Sequence, residues 1–524
     1  MTSSAPSIAR TDGPEHNRSF LNAGVIDACL AVAVALAVLL VHDVRYLLTH
    51  AYWVDEAWVA DTLRARIGLT HTLTSSTPLG WAYLLRLVPF GGLQRARLVP
   101  LAFTMLAAAT GYLFGRELRL TPYVTGILTG AAVLLSPAML VRDDLKQYTA
   151  EAFLAVLLWL LVARIENGWT RRRLIVIAAV GSVGLFFANT VIFIGVAAMA
   201  GLAFECLVRK QYRRLAEVAC ASAGMLAVSG AIYLVFVRPQ VTTILTNDWN
   251  PNYMPTHSVP AAVTFLRREL VENLVPYLGF GSLAVDTALI LAGIGALLWL
   301  RRFALAAMFP VTLVLVVAAS AARKYPFGDL RTSTFWLVTA PLLMAVAVAA
   351  AAHLAGRADR RLPALVAAAA LAVWVPVTSP YFRTHLIPNE NVRAEVDYLN
   401  AHLRPGDVVI VDYAASYGFS YYWPRANPSY PRDIVGPNVH VAAYPGVSWM
   451  IVMRDRQPAD VANALAQARA KIAAEPRGSR GRIWIVRSHL GQPEWRVWHR
   501  DLAGDRVTAI RVGPEPILLY APGP

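Results

Sequence analysis

Long apolar runs separated by short clusters of arginine constrain the fold of this 524-residue chain more than any other feature. A helix needs about 20 apolar residues to cross a bilayer, and the pattern predicts about eleven such spans. Hydrophobic residues make up 56% of the chain and charged residues only 15%, so lipid must solvate most of it. We therefore predict a polytopic α-helical membrane protein, with spans near residues 23–42, 97–115, 121–140, 150–164, 173–189, 191–208, 215–236, 281–300, 303–322, 332–352 and 362–379.

The basic clusters predict the orientation of these spans, because Lys and Arg accumulate in cytoplasmic loops. With eleven spans and a cytoplasmic tail over residues 1–22, the arginine clusters that end or precede spans all fall on the cytoplasmic side. These clusters account for the net charge of +15 without a nucleic-acid partner, which we therefore exclude. The transmembrane domain is predicted over 23–379, with a long first outer loop over 43–96. Pro78 to Phe90 is short for a crossing and is predicted as an interfacial or re-entrant helix.

The composition changes near Pro380, where charges and prolines rise and apolar runs shrink to strand length. Helices are predicted over 391–403 and 459–474, and strands over 407–411, 448–453, 482–486 and 516–520. This alternation predicts an α/β domain over 380–524, placed outside the cytoplasm by the odd number of spans.

Two pairs of acids lie in predicted outer loops far apart in sequence. Asp55 and Glu56 stand among aromatic residues just beyond the first span, and Asp143 and Asp144 follow the third. A carboxylate that is partly desolvated at a membrane surface has the properties of a general base. The alternative for Asp55 and Glu56 is that they are solvated acids within an interfacial belt of aromatic residues. The alternative for Asp143 and Asp144 is that they belong to an ordinary polar turn between two spans.

A third outer loop carries Arg323, Lys324, Tyr325 and Arg331. Its three cations oppose the usual charge bias of outer loops, and an anionic phosphate or headgroup would explain them. The alternative is that these cations have no role in substrate binding and pair with Asp329 and with lipid headgroups.

The order of these motifs resembles the GT-C superfamily of membrane glycosyltransferases. The resemblance rests on the first-loop acids, on Thr77-Pro78-Leu79-Gly80, on Arg97-Leu98-Val99-Pro100 and on the segment from Asp143 to Tyr148. Within the superfamily the chain is similar to bacterial relatives of protein O-mannosyltransferase and aminoarabinose transferase. It departs from the mannosyltransferase pattern, which has His-Pro-Pro and a following Lys where this chain has Thr77 to Trp81.

The resemblance implies that Asp55 is catalytic, with Glu56 as its neighbour, and that Asp143 and Asp144 position the substrate or a metal. No cofactor is required, and a divalent metal held by Asp55, Asp143 and Asp144 stays open. The candidate substrate-binding residues are Arg97, Lys146, Tyr148, Arg323, Lys324, Tyr325 and Arg331.

The expected protein is an inverting glycosyltransferase of the bacterial plasma membrane with an extracytoplasmic active site. It would move a sugar from a polyprenyl-phosphate donor to a hydroxyl acceptor of a cell-envelope glycan, lipid or protein. Two alternatives stay open, namely a transporter or flippase of lipid-linked saccharide and a non-catalytic relative that binds lipid-linked sugar.

Overall fold

A computed structural model describes residues 15–64, 77–88, 95–142, 144–240, 249–385, 390–423, 449–453, 458–476, 481–490, 492–513 and 515–520 of the protein. Within these residues, eight helices are long and apolar enough to cross a membrane, and two shorter apolar helices accompany them. A small sheet lies near the C-terminus. The predicted fold class, a polytopic helical membrane protein with a C-terminal α/β unit, is confirmed.

Each of the predicted spans overlaps a helix in the described residues, but the helix at the span predicted over 173–189, Arg171–Val183, is not among these ten apolar helices. The span predicted over 121–140 is interrupted after Leu134, where Ser136 and Pro137 start a new short helix. The helices before residue 380 are α1 (Glu15–Val41), α2 (Val44–Thr49), α3 (Val54–Arg64), α4 (Leu79–Arg86), α5 (Leu98–Leu118), α6 (Pro122–Leu134), α7 (Pro137–Leu140), α8 (Tyr148–Asn167), α9 (Arg171–Val183), α10 (Val191–Val208), α11 (Tyr212–Ile232), α12 (Val259–Arg267), α13 (Leu283–Trp299), α14 (Phe303–Ala321), α15 (Leu330–Leu337), α16 (Thr339–Ala355) and α17 (Leu362–Thr378).

Basic residues end several of the apolar helices. The backbone is left-handed just beyond α5, α10 and α13, at Arg119 (φ 58°), Lys210 (φ 56°) and Arg301 (φ 56°). A left-handed residue terminates a helix, and cations interact favourably with the carbonyl end of the helix dipole. Arginine and lysine residues that the sequence shows between apolar runs therefore lie where helices stop.

Small residues allow the membrane helices to pack closely. At Gly293 in α13, a Cβ atom would lie 2.1 Å from the carbonyl oxygen of Leu343 in α16, so only glycine fits this crossing. Such close approach is a common way for membrane helices to associate, because burial from lipid supplies little hydrophobic driving force. The same packing buries most side chains of α8 and α16.

The C-terminal part folds as a five-stranded mixed sheet in the order β2-β1-β3-β5-β4. Strands β1 (Val408–Val411), β2 (Trp449–Val452) and β3 (Ile483–Val486) are parallel, whereas β5 (Ile517–Tyr520) runs antiparallel to β3 and to β4 (Val507–Ile510). Four of these strands match predicted segments, and β4 was missed. The helices are α18 (Val392–His402), α19 (Tyr413–Tyr422), α20 (Pro458–Ala474) and α21 (Gln492–Asp501), of which α19 and α21 were not predicted.

Asp407 joins the start of β1 to β3. Its carboxylate accepts hydrogen bonds from the Arg482 side chain (2.8 Å) and from Trp484 Nε1 (2.8 Å). Burial alone would raise the pKa of Asp407, but these hydrogen bonds outweigh burial and lower the pKa below its ordinary value. Asp407 is therefore an acid-sensitive contact of the sheet.

Helix α19 joins the C-terminal unit to the membrane region. Its aromatic side chains pack on α3, where the Tyr417 ring stacks on Trp58 with 5.3 Å between centroids. The backbone N–H of Tyr52, just before α3, donates to the Tyr422 hydroxyl (2.6 Å). Since α3 carries Asp55 and Glu56, the C-terminal unit directly supports the helix with the first predicted acids.

Candidate active site

The first acidic pair occupies the first turn of α3. Acidic side chains are stabilised there by the unpaired N–H groups and by the helix dipole. Glu390, from the C-terminal part, accepts a hydrogen bond from the Val54 N–H (2.9 Å) and so caps this helix end. Consecutive helix residues point about 100° apart, and Asp55 and Glu56 accordingly meet different partners.

Glu56 is buried against Arg97, the residue that opens α5. The guanidinium Nε donates to Glu56 (2.7 Å), and a second nitrogen completes a two-pronged ion pair. The other N–H groups of Arg97 donate to three carbonyl oxygens before α3, those of Leu47, His50 and Ala51. An arginine has five N–H donors, and these contacts use all of them. We therefore expect Arg97 to hold α3 in place rather than to bind substrate.

Asp55 faces the third predicted loop. Its Oδ2 lies 2.9 Å from Arg331 Nη1, and both side chains keep about a quarter of their surface exposed (22% and 24%). Arg331 also donates to Asp329 through Nε (3.2 Å), and its guanidinium lies near the Trp53 and Trp249 rings. The structure thus joins residues 276 positions apart in sequence into one Asp-Arg-Asp arrangement.

The loop before Arg331 has a conformation that requires glycine. Gly328 has φ +96°, and a Cβ atom there would lie 2.2 Å from Glu269 Oε2. Asp329 then caps α15 by accepting from the N–H groups of Arg331 (2.8 Å) and Thr332 (3.3 Å). The turn and the cap together fix the direction in which Arg331 leaves the helix.

The second acidic loop is held beside the first by aromatic residues. Trp81 of α4 donates through Nε1 to the Leu145 carbonyl (2.7 Å), and Lys146 Nζ lies 5.1 Å from the centre of a Trp58 ring. Asp144 is buried and accepts from the Lys146 N–H (3.1 Å). The other predicted acid of this loop, Asp143, lies outside the described residues.

Tyr148 marks the point where the three loops meet. It begins α8, is buried, and is close enough to Asp55, Asp144 and Arg331 for their charges to act on its hydroxyl. Tyr325 lies close by and donates its hydroxyl to the Thr332 carbonyl (2.9 Å). Burial raises the pKa of Tyr325 well above its ordinary value, so this tyrosine acts as a neutral hydrogen-bonding group.

Two predicted cations lie apart from this cluster. Arg323 and Lys324 are exposed, and Arg323 donates to the Asn250 side chain (2.6 Å) and lies over the Tyr253 ring. Neither has a contact with Asp55 or Asp144 among the described residues. Two other candidate substrate-binding cations do lie beside the first acidic pair: Arg331 contacts Asp55, and the Lys146 ammonium lies over the Trp58 ring of α3.

Sequence reasoning missed several residues of this region. A cavity of about 540 Å³ adjoins Arg331 and Asp329, and its lining includes Glu272 and, from the C-terminal part, His489. Glu151, in the first turn of α8, is a buried carboxylate. An aspartate just before a helical run predicts a helix cap, so Asp329 could have been found from the sequence. No sequence pattern indicates Glu272 or His489, because only tertiary contacts bring them to this site.

A divalent metal has no obvious site in the residues that the structure describes. No group of three or more His, Cys, Asp and Glu side chains is arranged there to hold one. Asp143, one of the three predicted metal-binding acids, lies outside these residues. A metal held with its help therefore stays a prediction.

No family model matches the sequence, and no curated protein matches it. Solved structures do match the fold. The structure of ArnT from Cupriavidus metallidurans in the apo state superposes with a TM-score of 0.52 at 14% sequence identity, covering 96% of this chain and 98% of that chain. The same protein bound to undecaprenyl phosphate gives a TM-score of 0.52 at 13% identity, covering 95% and 98%.

This likeness extends over nearly the whole chain, including the C-terminal unit, so it is not limited to a generic helical bundle. At such low identity it establishes the fold alone. The chain is a multi-pass membrane protein whose fold is that of the ArnT structure from Cupriavidus metallidurans.

Proposed function

We propose that this protein is an inverting glycosyltransferase that moves a sugar from a polyprenyl-phosphate donor to a hydroxyl acceptor. The observation that carries the proposal is the placement of Asp55, about a quarter exposed at the start of α3 and paired with Arg331 beside Asp144, Lys146 and Tyr148. The shared fold with an ArnT structure that contains undecaprenyl phosphate supports a polyprenyl lipid as the donor carrier.

In the proposed reaction, the acceptor hydroxyl attacks the anomeric carbon of the sugar and the bond from that carbon to the phosphate oxygen breaks. The phosphate leaves with the bonding electrons, and the hydroxyl proton passes to Asp55. One displacement inverts the anomeric configuration. A positioned carboxylate base contributes a factor of about 10²–10⁴ to such a step.

The departing phosphate gains negative charge as the bond breaks, so it needs cations more than a proton donor. Arg331 contacts Asp55 directly, and the Lys146 ammonium lies over the Trp58 ring of the same helix. A guanidinium can bind a phosphate through two N–H groups, and an ammonium acts as a point charge. In the proposed donor complex, Arg331 exchanges part of its contact with Asp55 for the phosphate, which leaves Asp55 free to accept the proton. Arg323 and Lys324 remain candidates for contacts with phosphate at the rim.

We further propose that this end of the protein is extracytoplasmic in a bacterial plasma membrane. The basic helix ends at Arg119, Lys210 and Arg301 support this orientation, because such clusters favour the cytoplasmic side. Reporter fusions after Pro380 test it. A cytoplasmic reporter signal at that position would contradict the orientation and the proposed location of the reaction.

The reaction itself is tested with the purified full-length protein and a panel of radiolabelled polyprenyl-phosphate sugars, with a cell-envelope extract as the acceptor source. We expect one donor to be consumed and its label to appear in a lipid, glycan or protein of the extract. Movement of intact donor across vesicle membranes without a labelled product would favour a flippase. Donor binding with neither result would favour a non-catalytic lipid-sugar-binding protein.

A further inference from the structure

Both parts of the chain line the cavity beside Arg331. Most of its lining comes from the membrane region, including Asn252, Asn273, Tyr277 and Asp329, and His489 comes from the C-terminal part. Its volume of about 540 Å³ lies within the range of roughly 300–1,000 Å³ that is typical of small-molecule sites. A cavity of this size, next to the arginine that contacts Asp55, is well placed to hold a substrate group.

The lining of the cavity favours a neutral, hydroxyl-rich group over an anion. Two carboxylates, Glu272 and Asp329, stand against one guanidinium, that of Arg331. Two carboxamides, Asn252 and Asn273, add both donors and acceptors. Saccharide hydroxyls likewise donate and accept, so they match this set, whereas a phosphate would meet two like charges.

His489 is tied to the start of α3 through Glu390. One carboxylate oxygen of Glu390 pairs with His489 Nδ1, and the other accepts the N–H of Val54, the residue before Asp55. A carboxylate that binds one ring nitrogen fixes the orientation of an imidazole. The Glu390 side chain therefore holds two groups in place: the His489 imidazole at the cavity and the first turn of α3.

The backbone of His489 is also unusual. Its φ of +55° places it in the left-handed region, which is uncommon for residues other than glycine, although asparagine, aspartate and histidine adopt it more often than the rest. Such a conformation costs free energy and persists where the surrounding structure holds it, often at functional sites.

We propose that the cavity is the acceptor subsite and that His489 binds a hydroxyl of a neutral saccharide acceptor, with Glu390 as its positioning residue. The inference rests on the proposed transferase function and extends it, since it assigns the acceptor class and gives the C-terminal unit a part in substrate binding. The donor phosphate then lies outside this cavity, on the Lys146 side of Arg331.

The test compares the full-length protein with its His489→Ala, His489→Asn and Glu390→Gln variants in detergent. The donor is the polyprenyl-phosphate sugar that the wild type consumes, and the acceptor is a titrated cell-envelope extract. Loss of a charged or imidazole hydrogen bond should raise the half-saturating extract concentration about ten- to hundred-fold for His489→Ala. The half-saturating donor concentration and the affinity for undecaprenyl phosphate should not change.

His489→Asn should recover part of the loss, because asparagine tolerates the left-handed backbone and still hydrogen-bonds. Glu390→Gln should raise the half-saturating extract concentration with an unchanged midpoint of thermal unfolding. His402→Ala is the matched control, since His402 is exposed on α18 of the same unit and its ring contacts Tyr398, by stacking and through the Tyr398 carbonyl oxygen (2.8 Å). It should behave as wild type.

The outcomes separate this inference from the proposed function. A wild-type protein that transfers no sugar overturns the proposed function. A wild-type protein that transfers sugar while His489→Ala saturates with extract normally overturns the acceptor site alone. If His489→Ala raised the half-saturating concentrations of donor and extract equally and lowered the unfolding temperature, His489 would be only structural and the acceptor site would be overturned. Competition by inorganic phosphate but not by neutral methyl glycosides would contradict the acceptor class.

Discussion

We expect the buried ion pair between Glu56 and Arg97 to hold α3 in place at the site. Both side chains are almost fully buried, with 1% and 3% of their surface exposed. Removing one partner of such a pair costs about 3–5 kcal/mol, because the remaining charge stays buried without compensation. Arg97→Met also leaves three carbonyls before α3 without their donor, so the loss should fall on this helix.

Hydrogen exchange measures this loss locally. At 1.4 kcal/mol for each tenfold change, the amides of α3 should exchange on the order of 10²- to 10³-fold faster in Arg97→Met. The double variant Glu56→Leu/Arg97→Met should recover protection, because replacing a whole buried ion pair by apolar side chains is often nearly neutral. Arg95→Met, at an exposed arginine two residues away, is the control. Unchanged exchange in Arg97→Met, together with weakened undecaprenyl phosphate binding, would refute the bracing role and favour substrate binding.

Three further outcomes follow from particular contacts. Gly328→Ala should lower the unfolding temperature and the rate of transfer, because its Cβ would clash with Glu269 and its φ is +96°; normal values of both would contradict the account of the turn. Asp407 should stabilise the C-terminal sheet fully above its unfolded pKa of about 3.9, and hydrogen exchange should show this contribution fading as the pH falls through the lowered native pKa. Asp407→Asn should be less stable at neutral pH and should lose this acid sensitivity. Parallel pH profiles of stability for the two proteins would contradict the assignment. Lys146→Gln should weaken donor saturation and turnover together, whereas Lys210→Gln, at an exposed helix end, should change neither.

The helical part of the fold was predictable because each span is long and apolar. The interruption after Leu134 was not predicted, although Ser136 and Pro137 mark it, because the surrounding run stays apolar. Four strands of the sheet are continuous apolar runs and were found. Strand β4 was missed because it is half-exposed and is not a continuous apolar run, and α19 because its aromatic residues obscure helical periodicity.

The candidate site was only partly predictable. Asp55 and Arg331 were each found from local motifs, but their ion pair joins distant loops, and no spacing in the sequence indicates it. Arg97 was predicted to bind substrate because it lies in a recognised motif, and its contacts instead favour a structural role. Glu390 and His489 belong to a region that offered no substrate assignment, and they reach the site only through the packing of the C-terminal unit on α3.

The most direct test of the proposed transferase is Asp55→Asn in the full-length protein. Asparagine keeps the shape of the side chain but cannot take the acceptor proton, so transfer should fall by a factor of about 10²–10⁴. Binding of undecaprenyl phosphate and the unfolding temperature should stay near those of wild type, and Asp359→Asn, at an exposed position, should retain full activity. If Asp55→Asn transferred sugar at a near-normal rate while Glu56→Gln were inactive and folded, Asp55 would not be the base, and the account of this site would be wrong.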